Sequence, residues 1–225
     1  VLIEYHKVIK NMTEYNSSLS TKRIVISLIL FFGIPALTFA LKMLGGNETL
    51  AFTAACNVLV TALIIYDWNL FGIHYNRFKE RFGESFMFYV LALIIISGWT
   101  WINVTFLKGD MKMPDPAVIR KYQVGAPLIM MAYSYMRCVG MGLACKCMTD
   151  RLKVQSQELQ VILVSGFLFA ALYVVAFIPF NIIVWTLSFL YYVVTYCVIS
   201  YTYNQCHSFL PGYLALGTVQ LVLII

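Results

Sequence analysis

The chain is built mainly from long apolar stretches that are separated by short polar segments. A helix needs about 20 mostly apolar residues to cross the hydrocarbon core of a bilayer. We therefore predict an all-α fold, a polytopic transmembrane bundle of about seven helices. The seven candidate spans are Arg23–Met43, Leu50–Gly72, Ser85–Leu107, Val118–Cys147, Leu159–Pro179, Phe180–Tyr203 and Ser208–Ile225.

The composition agrees with a multi-pass membrane protein. Of the 225 residues, 61% are hydrophobic and 12% are charged, whereas a soluble domain carries about 25% charged residues. The formal net charge is +6, and the bases are scattered through the loops. Such a distribution suits contact with anionic lipid headgroups, so we expect membrane lipid and no nucleic acid as partners.

We expect a single transmembrane domain over residues 23–225, preceded by a cytoplasmic or interfacial segment over residues 1–22. The apolar and basic positions of that segment suit an amphipathic helix at the membrane surface. With the N-terminus inside, ten of the sixteen bases fall in cytoplasmic segments and five in outer segments, Arg137 being the sixteenth. The positive-inside rule therefore predicts a cytoplasmic N-terminus. Because the sequence starts at Val1 and stops within an apolar run, we expect further residues at both ends.

Residues that could perform catalysis are few. The three histidines, His6, His74 and His207, all lie outside the middle of the apolar runs. The zinc-protease, serine-hydrolase and phosphate-loop motifs are not present in the sequence. Cys145 and Cys147 have a C-x-C spacing, but no second Cys/His pair accompanies them at a usual zinc-site spacing. We predict no catalytic set, no metal site and no cofactor, which favours a protein that is not an enzyme.

Arg137 lies in the middle of the apolar run from Val124 to Cys145. A charge at the centre of a bilayer costs at least about 2.5–3.5 kcal/mol, so it usually has a partner or a function. Asp67, near the inner end of the second run, is the other main intramembrane charge. Arg137 is interpreted either as a contact for a ligand or lipid headgroup, or as a structural pin, that is, a residue whose contacts hold two helices together. The pin, which we prefer, would pair with Asp67 or stack by cation–π contact on the ring of Tyr133, Tyr135 or Tyr173.

The sixth run carries large aromatic side chains at helical spacing, namely Trp185, Phe189, Tyr192 and Tyr196. Aromatic rings supply a large contact area at low entropic cost. We expect this face to dock a transmembrane helix of another integral membrane protein. The alternative is that the same four side chains are buried inside the bundle of this chain.

In the second half of the chain, the stretch "SYMRCVG", Ser134 to Gly140, is followed by a polar loop and then by the run "SGFLFAALY", which contains Phe169 and Tyr173. In this helix order the chain resembles the CAAX-protease and bacteriocin-processing (CPBP) family of intramembrane endopeptidases. In that family one helix carries E-E-x-x-x-R-G and the next ends in F-x-x-x-H. Ser134 to Gly140 occupies the first position, and Phe169 matches the Phe of the second. Ser134 and Tyr135 replace the two Glu, Val139 replaces the Arg and Tyr173 replaces the His. The resemblance implies a degenerate member without the catalytic residues.

Three functional hypotheses follow. The first is a non-catalytic scaffold or partner subunit in the membrane, an inactive protease homologue if the resemblance holds. The second is a small-molecule or ion transporter, or its substrate-binding subunit, which requires discontinuous helices carrying polar groups. The Gly-, Pro- and Ser-containing spots "FFGIPAL", "IIISGW" and "LVSGF" are compatible with such breaks. A lipid-modifying enzyme is the third and weakest alternative.

Overall fold

The computed structural model describes residues 20–45, 48–107, 127–153 and 157–224. These residues form α-helices and no strand, so the predicted all-α bundle is confirmed. Residues 1–19 of the predicted N-terminal segment 1–22, and the start of the fourth span, lie outside the described residues. The helices of the described part are α1 Thr21–Phe32, α2 Ile34–Met43, α3 Glu48–Tyr66, α4 Trp68–Glu80, α5 Phe82–Leu107, α6 Pro127–Lys153, α7 Glu158–Phe177, α8 Ile182–Cys206 and α9 Leu210–Ile224.

Three helices, α5, α7 and α8, are each long and apolar enough to cross a membrane. Two consecutive pairs also pass the same test when each pair is taken together. These are α1 with α2, bent by 42°, and α3 with α4, bent by 80°. The described chain therefore has three candidate spans, or up to five if each bent pair is one span. It is a helical membrane protein, and the figure of seven spans stays a prediction.

The second predicted span, Leu50–Gly72, is wrong at its C-terminal end. α3 stops at Tyr66, and α4 starts at Trp68 after the 80° bend. α4 is amphipathic: it buries Leu70 and His74, whereas most of its polar side chains are exposed. Such a helix is better placed along the end of a bundle than across a bilayer.

Two contacts hold α4 against the start of α9. The Ser208 hydroxyl donates to the His74 carbonyl over 2.9 Å, and Arg77 Nη1 donates to the His207 carbonyl over 3.3 Å. His207 ends α8 in the left-handed conformation, with a φ of 54°. This turn brings α9 back beside α8 and places Ser208 under α4.

The hairpin of α7 and α8 turns at Pro179, as predicted. α7 stops at Phe177, and the side chain of Asn181 caps α8 by accepting from the backbone N–H groups of Ile183 and Val184 at 3.1 and 3.2 Å. The two helices approach closely at Gly166, where an added Cβ would lie 2.5 Å from the sulfur of Cys197. Small residues commonly allow such close approach between membrane helices.

Candidate functional site

Several ion pairs and polar contacts lie together at one end of the bundle. The start of α1, the end of α3, the end of α6, the start of α7 and the end of α8 meet there. We call it the polar end. It coincides with the cytoplasmic side in the predicted topology, and that orientation stays a prediction.

At the polar end, Lys146 and Asp150 form a buried charge pair. They lie one turn apart on α6, and Lys146 Nζ is 2.5 Å from Asp150 Oδ2. The Tyr203 hydroxyl, on α8, donates to Asp150 Oδ1 over 2.8 Å. Lys146 is 6% exposed and Asp150 2% exposed, so both charges are nearly removed from solvent. We call these three residues the charge-pair site.

The charge-pair site adjoins a small cavity of about 10 Å³, close to the smallest volume that holds one water molecule. Its lining includes Thr149 and Ser200 besides Lys146 and Tyr203. The ring of His74 lies 5.7 Å from the ring of Tyr203, centroid to centroid. α4 therefore contacts the charge-pair site through the ring of His74.

Asp67 takes part in a second buried charge pair, with Arg23. Arg23 Nε donates to Asp67 Oδ1 over 2.7 Å, and the Ser27 hydroxyl donates to Oδ2 over 2.6 Å. The sulfur of Cys147 lies 3.8 Å from the Ser27 hydroxyl oxygen. This pair ties α1 to the junction of α3 and α4. The predicted pairing of Asp67 with Arg137 is therefore wrong, because both carboxylate oxygens bind donors from α1.

Arg137 is fully buried in the bundle, nine residues before Lys146 and so about 14 Å from it along α6. Its Nη2 donates to the Tyr173 hydroxyl over 3.0 Å. The guanidinium carbon lies 4.7 Å from the ring centroid of Phe177 and 5.4 Å from that of Phe52. Such cation–π contacts are stronger when the cation is desolvated. The prediction that Arg137 faces the bundle and has an aromatic partner is confirmed.

Of the four side chains in the proposed docking face on α8, two are buried and two are partly exposed. Tyr192 is 1% exposed and Tyr196 is completely buried, so the prediction that these two side chains are available to a partner is wrong. The ring of Tyr192 packs 4.4 Å from that of Tyr173, because this side of α8 faces α7. Trp185 and Phe189 are partly exposed, and Trp185 Nε1 donates to the Ile178 carbonyl over 3.1 Å.

Sequence reasoning missed the charge-pair site. It placed Lys146 in a cytoplasmic segment because the fourth span was ended at Cys147, whereas α6 continues to Lys153. The signal that was present is the spacing of Lys146 and Asp150, since oppositely charged residues four apart face the same side of a helix.

Comparison with protein-family models, with curated proteins and with solved structures finds no match to this chain. Among the described residues, no group of three or more His, Cys, Asp and Glu side chains is arranged to hold a metal ion. The class of protein therefore rests on the fold itself, a bundle of apolar helices with buried charge pairs at one end.

Proposed function

We propose that this protein is a membrane transporter, or the substrate-binding subunit of one, in which Asp150 binds the transported charge. The transported species is a small cation or a proton. The observation that carries the proposal is the Lys146–Asp150 pair, buried inside an apolar bundle. Ionisable residues in membrane segments are costly, and many of them mark the pathway of an ion or a proton.

The geometry of the pair favours binding over a purely structural role. Both members belong to α6, one turn apart, so their ion pair does not link two helices. The Arg23–Asp67 pair, by contrast, joins α1 to the end of α3 and suits a structural pin. Lys146 has a flexible four-carbon side chain with a positive charge at its tip. Its ammonium group thus occupies the place on Asp150 that a transported cation would take, and it can withdraw without unfolding α6.

The surroundings of the site also suit transport. Transporters commonly have discontinuous helices near their binding sites, and the chain bends by 80° at the junction of α3 and α4. α4 then crosses the polar end and contacts Tyr203 through His74. A movement of α4 would open the charge-pair site to the polar end, while Tyr203 keeps one oxygen of Asp150 hydrogen-bonded.

The test uses the purified full chain in liposomes that carry a pH dye or a dye for sodium or potassium. We expect flux of a proton or of one of these cations, and loss of that flux in Asp150→Asn, which keeps the shape of the side chain and removes its charge. Glu48→Gln is the matched control because Glu48 is exposed at the start of α3, away from the polar end. Absence of flux in the unmodified chain, or equal flux in Asp150→Asn, would contradict the proposal.

A second candidate function is a scaffold or partner subunit, and one observation favours it. The turn between α7 and α8 exposes large apolar side chains: Phe180 is 80% exposed, and Ile182 and Ile183 are also exposed. The ring of Phe180 packs 5.1 Å from that of Trp185. Together with Trp185 and Phe189, the two partly exposed residues of the docking face, this patch is proposed to contact another membrane protein.

The scaffold candidate predicts that a second membrane protein co-purifies with the chain in mild detergent. Trp185→Ala combined with Phe189→Ala should weaken this association, whereas Trp101→Ala, which truncates an exposed Trp on α5, should leave it unchanged. If the CPBP resemblance is real, the chain is an inactive homologue. Cleavage of a peptide by the purified chain, abolished by a single substitution in α6 or α7, would contradict that interpretation.

A further inference from the structure

A groove at the surface of the bundle combines aromatic walls with a small set of hydroxyl groups. Its volume is about 360 Å³, which lies in the range of known ligand sites. It is bordered by α4, α5, α6 and α9, and its lining residues are Phe78, Phe86, Tyr89, Tyr135 and Leu214. Phe86 is half exposed, so in a membrane the groove opens towards lipid.

The hydroxyl groups of Tyr89 and Tyr135, in the groove walls, are linked through Thr218. The Thr218 hydroxyl donates to the Leu214 carbonyl over 2.9 Å. The hydroxyl oxygens of Tyr135 and Tyr89 lie 2.6 and 3.1 Å from the same Thr218 oxygen. In the arrangement in which the Thr218 proton stays on the Leu214 carbonyl, both tyrosines donate to Thr218. Their own oxygens are then left as acceptors, and a ligand that bonds to them must be a donor.

The depth of these hydroxyl groups limits the ligand further. Tyr89 is seven residues into α5, so it lies about 10 Å from the start of that helix. Thr218 is eight residues into α9, or about 12 Å from its start. A charged headgroup would lose most of its hydration at this level, at a high cost in free energy. A single uncharged hydroxyl group loses much less and regains one hydrogen bond.

We propose that the groove binds a neutral glycerolipid with one free hydroxyl group, of the diacylglycerol class. Its hydroxyl donates to the oxygen of Tyr89 or Tyr135, and its glycerol and first methylene groups lie against Phe78 and Phe86. Phosphatidylcholine has the same chains but carries charges and has no donor in its headgroup, so it cannot make this bond. A primary hydroxyl on flexible glycerol can turn to either tyrosine, whereas the hydroxyl of a sterol is held on a rigid ring.

The experiment places the purified full chain in phosphatidylcholine nanodiscs that contain a photoactivatable diacylglycerol. Parallel samples contain a photoactivatable phosphatidylcholine or a photoactivatable sterol, and the crosslinked peptides are mapped. We expect the diacylglycerol probe to label peptides of α5, α6 and α9 at the groove, with competition by unlabelled diacylglycerol. Tyr89→Phe and Tyr135→Phe keep the aromatic walls and remove the acceptors. Tyr201→Phe, on the exposed side of α8, is the control.

Each single Tyr→Phe change in the groove should weaken competition by diacylglycerol, and the double change should weaken it by about five-fold or more. The control should leave it unchanged. Equal labelling of the groove by the phosphatidylcholine probe would overturn the proposal, as would preference for the sterol probe. Unaltered competition by diacylglycerol in the double variant would also overturn the proposal. If the double variant does not fold, weaker competition in the two single variants is enough to support it.

Discussion

The close approach of α7 and α8 at Gly166 allows a quantitative prediction about stability. In Gly166→Ala the new Cβ would lie 2.5 Å from the sulfur of Cys197 and 3.3 Å from its backbone nitrogen. Favourable contacts between non-bonded carbon atoms lie at about 3.5–4.0 Å, so the sulfur must move by about 1 Å. The backbone of α8 limits how far it can retreat. Overpacking of this kind costs about 1–3 kcal/mol.

The change from Gly to Ala also favours the helix itself by about 1 kcal/mol, and a second variant removes this effect from the comparison. Gly98→Ala is made within α5, where an added Cβ meets nothing within 4 Å. We therefore expect Gly166→Ala to be less stable than Gly98→Ala by about 1–3 kcal/mol. The assay is reversible unfolding in mixed micelles, followed by circular dichroism.

A rescue variant tests the cause of this loss. Adding Cys197→Ala to Gly166→Ala removes the closest atom, so most of the lost stability should return. If Gly166→Ala is as stable as Gly98→Ala, the helix packing described for α7 and α8 is refuted.

Three further predictions concern the buried charges and the topology. Arg137→Leu should be tolerated better than Arg137→Glu in the same unfolding assay, because a carboxylate would face the negative faces of the surrounding rings; equal stability would contradict the aromatic contacts. Asp67→Asn should lower stability by about 1–3 kcal/mol, since it leaves the Arg23 guanidinium without its buried counter-charge; an unchanged midpoint would show that this pair does not pin α1. With Glu48→Cys and Lys79→Cys, an impermeant thiol reagent added outside the cell should label position 48 only, and labelling of 79 only would reverse the predicted orientation.

The class of fold could be predicted from the sequence because membrane helices are specified by the length of their apolar runs. The turn at Pro179 was predictable for the same kind of local reason, since proline lacks the N–H that would continue the helix. The position at which α3 ends could not be predicted in this way. Trp68, Leu70 and Phe71 continue the apolar run past Asp67, whereas the bend lies at Asp67, whose carboxylate contacts Arg23 and Ser27 on another helix.

The burial of Arg137 and the type of its partner were predictable from the sequence, but the choice among its possible partner residues was not. Its burial follows from the cost of facing lipid with a charge, and an aromatic partner was one of the alternatives. Arg137 contacts Tyr173 and Phe177 instead of Asp67 because these two rings lie at its own level along the axis of the bundle. Asp67 lies at the polar end with Arg23, and a single sequence does not align residues of different helices at one level.

The charge-pair site could have been recognised only in part. The i,i+4 spacing of Lys146 and Asp150 was visible, but the burial of the pair depends on side chains of other helices, such as Tyr203 on α8. Tyr203 reaches Asp150 across 53 positions in the sequence, and such a contact has no local signature. For the docking face, helical spacing grouped four aromatic residues, but it could not show that Tyr192 and Tyr196 are buried against α7.

The most direct test of the proposed function compares Lys146→Met with Asp150→Asn in the liposome flux assay. If Asp150 binds the transported charge and Lys146 only occupies that place, the two variants should differ. We expect Lys146→Met to retain flux, with weaker control by a pH or cation gradient, and Asp150→Asn to lose it. If the pair serves structure alone, both variants should be impaired to the same extent, in flux and in unfolding midpoint, and that equal loss would contradict the assignment of Asp150 as the binding residue.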